Sequence, residues 1–580
     1  MKRIKSAVSV FLCILMLLGV FSFGASAQSG DTSVYVATDL HFKPTSVTGG
    51  LNPDKETDIP DALYYHADAL GKMLHESTAI VQAMLDEVAA SDVEYLLLAG
   101  DLTDGPSRVC HTALAEMFRE FEATSGKSIY LIPGNHDAVY ERTSTSVDLD
   151  EFVEIYADFG FNEALEKDKA SASYTADIGG DYRLLAIDSN NFETGKGDIS
   201  AETLQWIGQQ AEKAEKDGVH LVAMMHHSLL DHFTFNTLIS GGFATNSTET
   251  LATTFADWGI KYVFTGHLHV NDITQATTSN GNKIYDVATG MLIGAPNMFR
   301  KVTFTESKVI FEACYVDEID VSYLPDGYSD DQLALISSDF ATYSDNYCKY
   351  GLYNWPRTFL TSKNLLKGMA QDDPVYVAVD GVLSKVGEVI RMPLYTNDTP
   401  ELDTIEEVAA LSGITLEKSD YESAIDIIYV FVGGFYSGDS NIPLDSLEGR
   451  ILFNVIKAAL TYTIGQCTDP TSLGKGLNKI LVDNGVSEAA AAGLLITGSV
   501  SQLVFTETAA NAVIESLIRP ILEGFSADAY APADLNVELD AYNSGKEYFP
   551  DGGVPLTLWQ KFIAFLKTIY EAIATLLNNI

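Results

Sequence analysis

Short segments rich in His, Asp and Asn recur directly after apolar, strand-like runs, and this placement constrains the chain more than any other feature. The segments are Asp39-Leu40-His41, Gly100-Asp101, Gly134-Asn135-His136-Asp137, His226-His227 and Gly266-His267-Leu268-His269. The runs ahead of them are 34–37, 95–98, 129–132, 220–224 and 261–264. In open α/β sheets ligands bind beyond the carboxyl ends of the strands. All five segments are therefore predicted to meet at one edge. More than half of the 11 His residues of the chain fall in them. Imidazole and carboxylate donors, with no Cys among them, suit Zn, Mn, Fe or Ni.

Helical stripes lie between the runs. Ile80, Met84, Leu85 and Val88 share one face, as do Leu114, Met117, Phe118 and Phe121, and Leu204, Ile207 and Ala211. Further runs at 183–187, 283–287, 300–304 and 308–311 read as strands. The pattern predicts an α/β domain of layered sheets covered by helices.

With 580 residues the chain is too long for one core, so two or more domains are expected. Residues 1–27 read as an export signal: Lys2, Arg3 and Lys5, an apolar stretch from Ala7 to Phe23, then the small-residue site Ala25-Ser26-Ala27. Cleavage there makes the protein secreted; an uncleaved leader would hold it in the cell envelope. Residues 31–320 form the α/β domain and 321–525 a mainly helical one, opening with a loop-rich, aromatic stretch at 323–355. The apolar stretch 489–505 is broken by Thr497, Gly498, Ser499, Ser501 and Gln502, so it reads as a buried helix and no integral span is expected after signal cleavage. Residues 526–553 read as an acidic linker. Residues 554–580 read as an amphipathic helix with Trp559, Phe562, Ile563 and Leu566 on its apolar stripe. That helix docks on its own protein, or offers contact to a partner or the cell envelope.

The net charge is −44, and loss of the three basic leader residues makes it more negative still. Such a chain is repelled by nucleic acid and by anionic lipid, so neither is an expected partner. An anionic substrate needs local cations to reverse that field. Beyond the leader lie Cys110, Cys314, Cys348 and Cys467. This is too sparse for a disulfide scaffold; Cys110 reads as a small buried hydrophobe, and a Cys314–Cys348 bridge is one of the three pairings four cysteines allow.

The ordered set D-x-H, GD-x-x-D, GNHD, H and GH-x-H, running from Asp39 to His269, resembles the calcineurin-like metallophosphoesterases, with the likeness extending over about 31–312. The resemblance implies a four-layer αββα sandwich holding two divalent metal ions of the Mn, Fe or Zn class. Asp39, His41 and His269 would hold one, Asn135, His226 and His267 the other, and Asp101 would bridge. A shared carboxylate screens two cations that otherwise repel. Such pairs clamp an in-line displacement at phosphorus, with a bridging hydroxide as the nucleophile. By the same likeness His136 faces the substrate; Asp104 either orients His136 or hydrogen-bonds the backbone of a tight turn, and Asp137 caps or anchors the loop with no direct chemistry. His226, directly after its apolar run, is preferred over His227 as the ligand. His227 then lies behind the ligands or beside the substrate. His232 reads as an exposed loop residue or as part of the pocket wall. His66, His75 and His111 read as structural. Gly290 either lets the backbone approach the substrate or makes a plain turn.

Two departures narrow the likeness. Protein Ser/Thr phosphatases of the superfamily carry Arg where this chain has Gly105, and purple acid phosphatases carry Tyr where it has Asp104. The expected function is that of a secreted phosphoesterase acting on a small phosphomonoester or phosphodiester. The alternative is an inactive surface-binding or scaffold protein that retains the metal site. A decayed site loses ligands, and this one has lost none.

Overall fold

The computed structural model describes residues 31–55, 57–233, 248–359, 361–366, 368–395, 402–438, 442–483, 519, 523 and 534–542. The leader, the stretch 489–505 and the helix predicted at 554–580 lie outside the described residues.

Two sheets face each other. The strands are β1 (Thr32–Ala37), β2 (Tyr95–Leu98), β3 (Ser128–Leu131), β4 (Glu166–Lys167), β5 (Tyr174–Asp177), β6 (Tyr182–Ile187), β7 (Asn190–Asn191), β8 (Lys196–Gly197), β9 (His220–Met225), β10 (Tyr262–Thr265), β11 (Asp272–Thr277), β12 (Lys283–Ala288), β13 (Met298–Phe304), β14 (Lys308–Tyr315) and β15 (Val537–Asp540). One sheet has the order β15-β14-β13-β1-β2-β3, the other β11-β12-β10-β9-β6-β5-β4, and β7 pairs with β8 alone. β1, β2 and β3 run parallel, as do β6, β9, β10 and β12.

Burial alternates along the strands in the way a two-sided sheet requires. In β9, Val222 and Met224 enter the large core shared with the first sheet. Leu221, Ala223 and Met225 turn the other way, onto Ile207, Ala211 and Phe255. These last belong to helices Ala201–Asp217 and Thr248–Asp257. Helices Ser77–Ala90 and Arg108–Ser125 bring Ile80, Met84, Leu85, Leu114 and Phe118 into the large core. The result is an αββα sandwich, as the family resemblance implies. Beyond it, Leu394, Ile405, Val408, Ile451 and Val455 form a separate core among helices Ile405–Leu411, Ala424–Ser437 and Leu447–Gly465, and Val379, Val382, Val386 and Leu473 form another. No helix among the described residues is long and apolar enough to cross a membrane.

Two features differ from the sequence expectation. The stretch 323–355 is largely helical, with helices Asp330–Ser338 and Phe340–Gly351. Ser329 and Gln332 close a capping box on the first. Phe340, Tyr343 and Tyr347 of the second recur at helical spacing and bury in the sandwich core. Within the predicted linker, residues 537–540 are a strand: β15 pairs antiparallel with β14 and forms the edge of that sheet, and Tyr542 donates to the Leu221 carbonyl of the other sheet at 2.7 Å. Its acidic composition disguised alternation that an edge strand tolerates. All four described cysteines are free, Cys314 and Cys348 included, and Cys110 is buried as expected.

Candidate metal centre

The strand ends assemble the site because neighbouring loops continue the sheet's hydrogen bonding past the last strand residue. Asp39 N donates to Gly100 O and His41 N to Asp101 O, each at 3.0 Å, and Gly266 N donates to His226 O at 3.0 Å. The tightness of these turns is visible in the backbone. Asp39, His41, Asp101, His267 and His269 all have positive φ, between 39° and 67°, and Asn297 is the one other described non-glycine residue in that class. Strain of this kind concentrates where function over-determines the geometry. Gly134 and Gly266 allow the closest approaches. A Cβ at Gly134 would lie 2.2 Å from the Asp101 carboxylate, and one at Gly266 2.5 Å from that of Asp39.

Seven predicted ligands converge. Asp39, His41 and His269 form one cluster, and Asp101, His226 and His267 another, each with ligand atoms within 4.8 Å of one another. Asp101 Oδ2 lies 3.4 Å from His226 Nε2 and 3.9 Å from His41 Nε2, so it stands between the two. Asn135 Oδ1 lies 3.1 Å from His226 Nε2. His136 donates its backbone N–H to Asp101 Oδ1 at 2.8 Å, and its partly exposed ring keeps Nε2 3.9 Å from Asp101 Oδ2.

The donor set fits cations. Asp39 Oδ2 accepts from Thr38 Oγ1 and His267 N, yet Asp39 Oδ1 is buried without a hydrogen-bond partner. It points at His269 Nε2 (3.3 Å) and His41 Nε2 (3.7 Å), which are themselves 3.1 Å apart. Two imidazole lone pairs and a carboxylate oxygen brought this close are stable around a positive charge. At the other cluster, His226 Nδ1 donates to Ala99 O at 2.9 Å, which leaves Nε2 facing Asn135 Oδ1 and Asp101 Oδ2, where a metal would replace its proton. All donors are N or O, the set that suits Mn, Fe or Zn.

Electrostatics favour neutral His41 and His267, whereas at His226 burial lowers the pKa but Asp101 outweighs it and raises it to about 9, so a metal there would displace a proton. Burial, then Lys72, pushes the His41 pKa well below the ordinary value, and burial, then His227, does the same at His267. Burial works against the Asp101 carboxylate, but His226, His136 and His41 outweigh it and hold the group ionised.

The surrounding residues sort as follows. Asp137 accepts from Leu102 N, Thr103 N and Gly134 N, so it anchors the loop; burial and Asp101 push it up to about 7. Asp104 meets His136 through its backbone carbonyl, 3.2 Å from Nδ1, rather than through its carboxylate. The carboxylate turns instead to Lys72 (3.5 Å), Lys43 (3.7 Å) and His41 Nδ1 (3.8 Å). His227 is buried behind the ligands, with Nδ1 3.0 Å from Ser189 Oγ and its ring against His267. His232 is not exposed: it is buried, 2.5 Å from Asp272, and flanked by Asp286. Gly290 N donates to Asn271 Oδ1, and a Cβ there would strike the Asn271 amide, so its bareness serves packing. His66 and His111 are structural: His111 lies between Thr103 and Tyr156, and His66 beside Glu76. Lys43 and Lys72 were not predicted. No motif marks them, and folding alone brings them to Asp104.

Residues 32–271 match the family model described as calcineurin-like phosphoesterase. A serine/threonine-protein phosphatase CPPED1 of Pongo abelii is 25% identical over 257 residues, which are 42% of this chain and 73% of that protein. Among solved structures, a dimetal phosphatase of Danio rerio aligns with TM-score 0.36 and 11% identity, over 50% of this chain and 98% of that one. A purple acid phosphatase, PPD1, of yellow lupin (Lupinus luteus) aligns with TM-score 0.34 and 15% identity, over 50% of this chain and 52% of that one. With its ordered motifs and its family match over 32–271, the chain carries a calcineurin-like phosphoesterase domain, that of a metal-binding hydrolase of phosphoric esters.

Proposed function

We propose that this protein is an exported, dinuclear-metal phosphoesterase that hydrolyses a small phosphomonoester or phosphodiester. The observation that carries the reading is the buried, unpartnered Asp39 Oδ1 facing two imidazole Nε2 atoms, with Asp101 standing between that cluster and the next. Asp39, His41 and His269 would hold one metal, and Asn135, His226 and His267 the other, with Asp101 shared. When bound, the metals supply an activated water and positive charge at phosphorus.

The remaining chemistry falls to the chain itself. His136 is the most exposed imidazole of the site, its side chain 38% open. From there it binds a phosphoryl oxygen or protonates the leaving alkoxide. The Asp104 carbonyl beside Nδ1 sets the ring's orientation. Export follows from the leader pattern of residues 1–27.

The test is a paired assay of a mono-aryl and a bis-aryl phosphate with Mn(II) added, together with metal analysis of the same protein. Hydrolysis of at least one ester and two metal ions per chain are expected, with activity falling at least about a hundredfold in Asp101→Ala. Hydrolysis of neither ester, or an Asp101→Ala loss below tenfold, overturns the proposal.

A further inference from the structure

Lys72 lies outside every motif, yet its ammonium reaches the back of a metal ligand. The residue is 7% exposed, and Nζ lies 3.4 Å from His41 Nδ1. Asp104 Oδ1 stands 3.5 Å from that Nζ and 3.8 Å from the same Nδ1. A His that ligates through Nε2 carries its proton on Nδ1 and leans on an acceptor. Here the nearby carboxylate is shared with a buried cation.

The position of Lys72 is not incidental. Its backbone carbonyl accepts from Tyr347 OH at 3.1 Å, and Met73 N donates to Ile293 O at 2.9 Å. Glycine is required on both sides of the contact between this loop and helix Phe340–Gly351. Gly71 has φ +74°, and a Cβ there would lie 2.7 Å from Cys348 Sγ; a Cβ at Gly351 would lie 2.0 Å from Asp68 O. The loop is thus clamped against the helix, and the ammonium is delivered to one place.

We infer that Lys72 is a positioning residue that offsets the charge of the metal centre: it holds Asp104 beside His41 and weakens the pull of that pair on the metal, leaving the centre positive enough to receive a phosphate. The inference rests on the metal-dependent reading above. Its electrostatic sense is definite. Removing the cation leaves Asp104 Oδ1 to His41, with Lys43 still on Oδ2, and it also removes a repulsion on a nearby divalent ion. Metal binding should tighten, while an incoming anion loses a source of attraction. A merely structural role predicts the reverse for the metal, because a loosened His41 binds more weakly.

The experiment uses the full chain stripped of metal. Mn(II) is titrated while the signal of the free ion is followed by electron paramagnetic resonance, and inorganic phosphate is then titrated into the Mn(II)-loaded protein. In Lys72→Met one Mn(II) equivalent is expected to bind about tenfold tighter and phosphate about tenfold more weakly. Lys72→Arg should stay within about threefold of the unmodified protein in both, since it retains the charge. Unchanged or weaker Mn(II) binding in Lys72→Met, or unchanged phosphate binding, overturns the inference. Should Lys72→Met not fold, Lys72→Gln carries the same comparison. Neither measurement uses turnover. A chain that binds Mn(II) and phosphate but cleaves neither aryl ester therefore fails the functional proposal and leaves this inference standing.

Discussion

The two halves of the candidate metal centre, one with Asp39 and the other with Asn135 beside two His, are braced differently. His226 is backed by the main chain: its Nδ1 donates to Ala99 O, the residue after β2. His41 is backed by side chains, Asp104 and Lys72, from two different loops. The first brace is part of the sheet and cannot be removed by changing a side chain. The second can be tuned one residue at a time, and its lysine is pinned by a helix some 270 positions further along the sequence, a closure that costs little more than a shorter loop. Within one site, then, a fixed half stands beside an adjustable one.

The largest effect should come from breaking the fixed half. His226→Ala removes the nitrogen that faces both Asn135 and Asp101. One metal equivalent should be lost and turnover should fall roughly a thousandfold, about 4 kcal/mol of barrier. Metal analysis and the aryl-phosphate assay check this together. Retention of both metal ions would mean that the two halves do not depend on their ligands in the way their geometry implies.

A smaller effect should follow at the adjustable half. Asp104→Ala takes away the carboxylate beside His41 Nδ1 and leaves Lys72 uncompensated. One Mn(II) equivalent should bind about tenfold more weakly, within the range seen when an outer partner of a metal ligand is lost. The other should be unaffected. Equal weakening of both would remove the distinction between the halves.

The smallest effect lies away from the ligands, in the loop after His226. His232 is buried between Asp272 and Asp286, and although burial lowers its pKa, the two carboxylates raise it to about 10. A His whose folded pKa is raised contributes stability that is full below about 6.5 and is lost as pH rises toward the folded value. Thermal stability should therefore decline between about pH 7 and 10, and the decline should be shallower in His232→Gln. Melting temperatures across that range check the slope. An identical slope in the variant would mean that His232 does not carry the charge there.

Much of this was legible because the motifs sit on a regular scaffold. Asp39, Asp101, Asn135, His226, His267 and His269 each follow an apolar run, so strand polarity alone places them on one edge. The parts that were not legible depend on contacts remote in sequence. Lys72 has no periodic or motif context, and its role appears only once Tyr347 and Gly71 are packed together. For His232 the sequence leaves exposure and the pocket wall both open, because a single His in a polar loop carries no sign of the two aspartates that enclose it. The stretch 323–355 reads as loop from its composition, and only the spacing of its aromatic residues at 340, 343 and 347 carries the helix. The strand at 537–540 was hidden by its acidic residues, which at a sheet edge are compatible with pairing.

That strand bears on how the molecule is made. β14 waits for a partner some 220 residues later in the sequence, a long closure whose cost grows only slowly with length but which slows folding. Until β15 arrives, β14 is an open edge able to template pairing with another copy. A fragment cut back to the family-matched region and its last hairpin would keep every proposed metal ligand and yet expose that edge. Such a fragment should aggregate more readily than the full chain, so the portion that carries the chemistry is a poor choice to express alone.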